Sequence, residues 1–117
     1  ETNAKAMVAT SADVARGVDE FELAGVTPVP SAKVLPPRVK ESPVALECEL
    51  HSVVTISEGP LGGNLVIGRV VHAHVDDALW KDGAFTHKDL KPVGRLGGAW
   101  YSTTKDDFEI PRPGGGA

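Results

Sequence analysis

From Pro43 onward the chain alternates apolar and polar residues. Val44, Leu46, Cys48 and Leu50 fall on one side, and Ala45, Glu47, Glu49 and His51 on the other, which is the period of a strand. The spacing predicts a strand over 43–56, with Cys48 buried on its apolar face as a small, unreactive hydrophobe. A second strand, Leu-Val-Ile-rich at its start, is predicted over 64–75. The glycine-rich stretch between them makes the two an antiparallel hairpin with a longer loop. Upstream, the Ala-rich stretch 3–15 predicts a helix capped by Thr2 or Asn3 and ended by Gly17. Residues 18–40 carry no long period. Val26-Thr27-Pro28-Val29-Pro30 and Val34-Leu35-Pro36-Pro37 interleave apolar residues with prolines. Proline cannot donate to a ladder, so these read as edge segments or extended loops. Downstream, Asp82-Gly83 signals a turn, His87 to Leu90 a short helix that Pro92 interrupts, and Trp100-Tyr101 a last element running toward Pro111.

Composition narrows this to one mainly β domain over 1–113, with 114–117 as a flexible glycine tail. Glycine and proline number 13 and 9 in 117 residues, and aromatics are only 5%, which favours short strands and turns over long helices. The net charge is −4 and the 12 Lys and Arg are scattered, which argues against nucleic-acid binding. No apolar run approaches the roughly 18 residues of a membrane helix. No signal peptide is visible, and an opening on Glu1 rather than Met leaves room for residues upstream. One cysteine cannot form an internal disulfide, which points to a reducing, cytoplasmic setting.

Three constellations bear on chemistry. His72, His74 and Asp76 lie at i, i+2 and i+4, one face of a strand, but with no fourth ligand the solvent-side reading outweighs a metal site. Gly94-Arg95-Leu96-Gly97-Gly98 resembles a phosphate loop, yet Pro92 precedes it and no amphipathic helix follows, which argues against a dinucleotide fingerprint. What remains is backbone open to close approach beside a fixed cation. Arg95 suits a phosphate or, equally, a carboxylate such as Glu41 or Asp107. Arg38, Glu41 and Ser42 form a polar corner between prolines, for which an Arg38–Glu41 ion pair is expected. No catalytic acid, base or nucleophile can be named.

Several segments together resemble the flavin reductase-like family: Ala9-Thr10-Ser11-Ala12-Asp13, Asp19 to Pro28, Pro36 to Cys48, Val93 to Gly98 and Phe108 to Pro113. The long Glu20–Ser42 connection is similar to the branch containing the flavin reductase component of aminopolyacetate monooxygenases. The resemblance implies the C-terminal half of an FMN-binding split β-barrel, with a short N-terminal helix and long proline-rich connections. The upstream half, whose loops hold the flavin phosphate and ring in that family, has no counterpart here. Either the chain is a fragment or its partner half lies on another chain. The implied activity is hydride transfer from NADH or NADPH to flavin, supplying a flavin-dependent monooxygenase. The implied assembly is a homodimer. A flavin-binding module without turnover and a purely structural β-domain are the alternatives. By match to the family, Asn64, Gly94, Arg95 and Tyr101 are the cofactor-proximal candidates, and Arg38 and Ser42 join them by polarity and position.

Overall fold

A computed structural model describes residues 1–60 and 62–114, so the expected tail lies, beyond Gly114, outside the described residues. The architecture is mainly strand, with a few short helices. It is dominated by a long antiparallel hairpin, β3 (Val44–Thr55) against β4 (Asn64–Val75). Both strands were legible from their alternation, and the connecting loop closes on itself through Ile56 N–H to Gly63 O at 2.9 Å. Two short pairs flank it. β1 (Pro28–Val29) pairs with β2 (Arg38–Val39), and β5 (Val93–Arg95) pairs with β6 (Tyr101–Thr103).

The helices are shorter than the composition suggests. α1 covers only Ala4–Ala9, not 3–15. The hydroxyls of Thr10 and Ser11 donate back to Met7 O and Val8 O at 2.8 and 2.7 Å, offering the backbone an alternative to further turns. α2 (Glu20–Ala24) falls inside the stretch that showed no period. Asp19 caps it, accepting from Phe21 N–H at 2.8 Å, and Gly25 ends it at φ +66°. α3 (His87–Leu90) matches expectation and carries a capping box between Thr86 and Asp89. The Asp82-Gly83 turn also forms, both residues at positive φ, bridged by Lys81 and Ala84. The last strand stops at Thr103 instead of running toward Pro111.

The register of the hairpin shifts twice, between Glu47 and Cys48 and between Leu50 and Ser52. Residues paired across a ladder share a face. One face therefore carries Leu46, Cys48, Leu50, Val53, Val66 and Val70; the other carries Glu47, Glu49, Arg69, His72 and His74, with Val54, Leu65 and Ile67 toward the tip. Val53 and Val54, as consecutive strand residues, point to opposite faces, and the second shift puts Val53 on the Cys48 face, so the tip is apolar on both sides. Gly68 lies on the Cys48 face, where a Cβ would stand 3.0 Å from the Cys48 Cβ.

Burial inverts the expected arrangement. The apolar face is open: Leu46 is 58% exposed, Leu50 69% and Val66 64%. On the polar face Glu47 is covered, at 3% exposure. Among the described residues no hydrophobic side chain is fully buried. The radius of gyration is 17.4 Å, well above the about 13 Å of a compact domain this long. Cys48 follows its face and is exposed, against the expectation of burial. Alternation tells which residues share a face, not which face is covered. Its Sγ donates weakly to Leu46 O at 3.9 Å and faces Gly68 across the ladder.

Cys48 in the native chain is therefore expected to react with a thiol reagent at neutral pH within about tenfold of the rate in urea-unfolded protein. Strong protection of the native thiol would show that the Leu46–Leu50 face is covered in solution.

Candidate functional site

The polar corner is built by three segments. Arg38 lies in β2 opposite Val29, and Lys40 N–H donates to Thr27 O at 2.9 Å. Ser42 turns the chain into β3, its Oγ donating to Val44 O at 2.7 Å. Asp76 N–H donates to Pro43 O at 2.8 Å and holds the end of β4 alongside. Arg38, Lys40, Ser42, His74, Asp76 and Asp77 line an open cleft of about 500 Å³ there.

The expected Arg38–Glu41 ion pair is not formed. Glu41 instead accepts from Thr27 N–H, at 2.9 and 3.2 Å to its two oxygens. Those bonds to Thr27 hold its carboxyl below the ordinary value. Arg38 is half-buried, and its Nε is buried without a hydrogen-bond partner among the described residues. A buried donor left unpaired is costly, so this atom calls for an acceptor. Ser42 cannot supply a proton to the cleft as it stands, because its hydroxyl hydrogen is committed to Val44.

Glu47 and His74 form the centre of this region, and both were read differently from sequence. From the alternation both looked like solvent-side strand residues, the metal spacing of His74 being the lesser reading. In the fold, Glu47 Oε1 meets His74 Nε2 at 2.5 Å. The same carboxylate accepts from Ala32 N–H at 2.7 Å and from Lys33 and Val34 N–H at 2.6 and 3.2 Å. Burial alone would raise this carboxyl. The bonds from His74 and the three amides outweigh it and hold the group at about 2. His72 stacks edge-on against His74, ring centres 4.7 Å apart. Asp76 turns away to accept from Ala78 N–H at 2.9 Å. No cluster of three metal-ligating side chains occurs among the described residues. No local pattern announces the Glu47–His74 pair, since the residues are 27 positions apart.

The other sequence candidates lie elsewhere. Arg95 and Tyr101 are paired across β5–β6, and Gly94 is paired with Ser102. Arg95 is exposed, and among the described residues its guanidinium reaches only Gly98 O, at 3.5 Å. Neither carboxylate considered for it is engaged: Glu41 holds Thr27, and Asp107 takes His87 at 2.7 Å and Lys88 at 3.3 Å. Asn64 opens β4 opposite Thr55, at the hairpin tip. Roughly 36 Å of strand separate it from Val75 beside the cleft. Asn64 lies apart from the others at the tip, whereas Ser42 and Val93, which opens β5 ahead of Gly94 and Arg95, line one cavity of about 880 Å³.

The flavin reductase-like domain matches residues 1–92. An uncharacterized protein of Halalkalibacterium halodurans is 37% identical over 115 residues, covering 97% of this chain and 55% of that protein. Among solved structures, component B of nitrilotriacetate monooxygenase from Bacillus cereus superposes with a TM-score of 0.84 at 33% identity, over 94% of this chain and 55% of the other. A Shewanella frigidimarina protein assigned as a flavin reductase with a split barrel domain superposes with a TM-score of 0.77 at 27% identity, over 97% and 57%. The chain spans about half the length of these proteins, and its fold is that of the split-barrel flavin reductases.

The Glu47 carboxyl sits at about 2 in the fold, below its ordinary 4.5. Its contribution to stability is therefore full above about pH 4.5 and lost as pH falls toward 2. Glu47→Gln should lower the melting midpoint by several degrees at pH 7, with the gap to wild type closing across that acid window. Parallel melts of both proteins from pH 7 to 2 test this; a gap independent of pH would remove the charge from the explanation.

Proposed function

The chain belongs to the flavin reductase-like family, and on that premise we propose that it is the C-terminal half of an FMN-binding split barrel. In its complete form this barrel transfers hydride from NADH or NADPH to flavin. It works as a homodimer and supplies reduced flavin to a partner monooxygenase. The likeness to nitrilotriacetate monooxygenase component B along 94% of the chain carries this reading. The open Leu46–Leu50 face supports the half-barrel part, because covering each such side chain stabilises by about 1.5–3 kcal/mol.

The fit to FMN lies at its phosphate end. Arg38 Nε lacks an acceptor, and Lys40 stands at the same cleft. Arginine binds phosphate through paired hydrogen bonds, which suits an anion at this corner. Asp76 and Asp77 repel it and confine it to the Arg38–Lys40 side. Bound FMN supplies the hydride-accepting ring, while the protein contributes binding and orientation. Ser42 sets the corner and does not donate. Arg95, beside Tyr101 and the Gly94 backbone, takes the nicotinamide cofactor's phosphate. Asn64 is too far along β4 to serve the cofactor held at Arg38 of its own copy. In a homodimer it serves the cofactor of the other copy.

Full-length protein incubated with NADH or NADPH should oxidise it only when FMN is added; absence of flavin-dependent oxidation would sink the reading. In that protein Arg95→Ala should cut kcat/KM for the nicotinamide cofactor roughly tenfold or more and leave the melting midpoint nearly unchanged, since among the described residues its guanidinium makes only a long contact to Gly98 O. The 117-residue chain alone should bind FMN more weakly than micromolar, because one corner does not offset the cost of fixing the whole ligand. Fluorescence titration measures this directly.

A further inference from the structure

His74 joins two parts of the molecule. From the polar face of β4 its Nε2 meets the Glu47 carboxylate at 2.5 Å. The same residue lines the open cleft of about 500 Å³ that Arg38, Lys40 and Ser42 line from the corner. Glu47 also receives the amides of Ala32, Lys33 and Val34, in the strap between β1 and β2. A carboxylate held ionised by three amides is an acceptor, so the ring proton sits on Nε2 and donates to it. Nδ1 then decides what His74 offers elsewhere. Among the described residues Nδ1 makes no hydrogen bond, and it is not sealed from solvent: Arg38 Nε is the one buried side-chain nitrogen or oxygen without a partner there. The His74 side chain keeps 24% of its surface open.

In the neutral ring Nδ1 carries a lone pair, which repels an anion. On protonation it becomes a donor on a positively charged ring, which attracts one. Histidine makes this change between about pH 5 and 8, where arginine, lysine and aspartate as a class keep their charges. The groups around His74 act in both directions. Glu47 on β3, with Asp76 and Asp77 just beyond β4, favours the protonated ring, whereas Arg38 and Lys40 across the cleft oppose it. An anion seated against Arg38 and Lys40 cancels that opposition. His72 stands edge-on to His74 with ring centres 4.7 Å apart, but it does not line the cleft.

We propose that His74 is a proton-operated ligand of the anion at the Arg38–Lys40 corner, so that the cleft holds a dianion more tightly as histidine protonates. The proposal rests on the anion corner of the reading above and not on its redox chemistry. A phosphate ester changes its own charge near about pH 6, so sulfate, a dianion throughout, is the probe. In flavin-free full-length protein with isotope-labelled histidine, the His74 ring C–H resonances report its protonation. Saturating sulfate, at ionic strength matched with chloride, should raise their titration midpoint by about one pH unit. Sulfate affinity should correspondingly strengthen about tenfold between about pH 8 and 5. His74→Gln, whose amide still donates to Glu47, should flatten that dependence, and His72→Gln should keep it. The midpoint in the unsubstituted protein decides even where a variant fails to fold. Sulfate binding that is lost in Arg38→Ala but leaves the His74 midpoint unmoved would overturn the role of His74 alone. Absence of sulfate binding at every pH would overturn it together with the anion corner.

Discussion

The buried Glu47 carboxylate is the contact on which the arrangement of this chain depends. With no fully buried hydrophobic side chain among the described residues, apolar packing does not tie the proline-rich connection to the hairpin. Glu47 does so with one side chain, receiving three successive strap amides and the His74 ring. A carboxylate taken out of water is costly unless its lone pairs are filled. Here four donors fill them, so Glu47 is both satisfied and hard to replace. A neighbouring acid repeats the device at smaller scale: Glu41 receives Thr27 N–H and closes the base of the β1–β2 pair.

The geometry of the hairpin follows from its two register shifts. Each rotates the side chains beyond it by one step relative to the other strand. Their combined effect keeps Leu46, Cys48, Leu50, Val53, Val66 and Val70 on one continuous face, while the tip becomes apolar on both. A sheet face of this kind is half of a core. Among the described residues that face is uncovered, the radius of gyration is 17.4 Å, and the chain spans about half the length of the relatives it matches.

The chemistry of the proposed site suits such a division. Hydride transfer between two bound rings needs alignment more than it needs an acid or base. The residues available here are cations, glycine backbone and a tyrosine, and the strongly held carboxylates are occupied in structure: Glu47 with the strap, Glu41 with Thr27, Asp107 with His87 and Lys88. Among the described residues none of these carboxylates forms an ion pair with Arg38, Lys40 or Arg95.

Much of the local structure was legible in the residues. The period of two set both long strands, the glycine-rich run set the hairpin loop, and Pro92 bounded α3. The family and its split-barrel fold were also legible, from the order of several short segments. Three features were not. The length of α1 depended on hydroxyls turning back onto the helix. The exposure of Cys48 depended on which face of the hairpin finds a cover. The Glu47–His74 pair depended on a ladder that brings distant positions together and on a strap laid over them. The sequence by itself determined periodicity and turns, because these arise between residues a few positions apart. Only the tertiary structure decided burial, pairing and the grouping of site residues, because these depend on which distant segments meet.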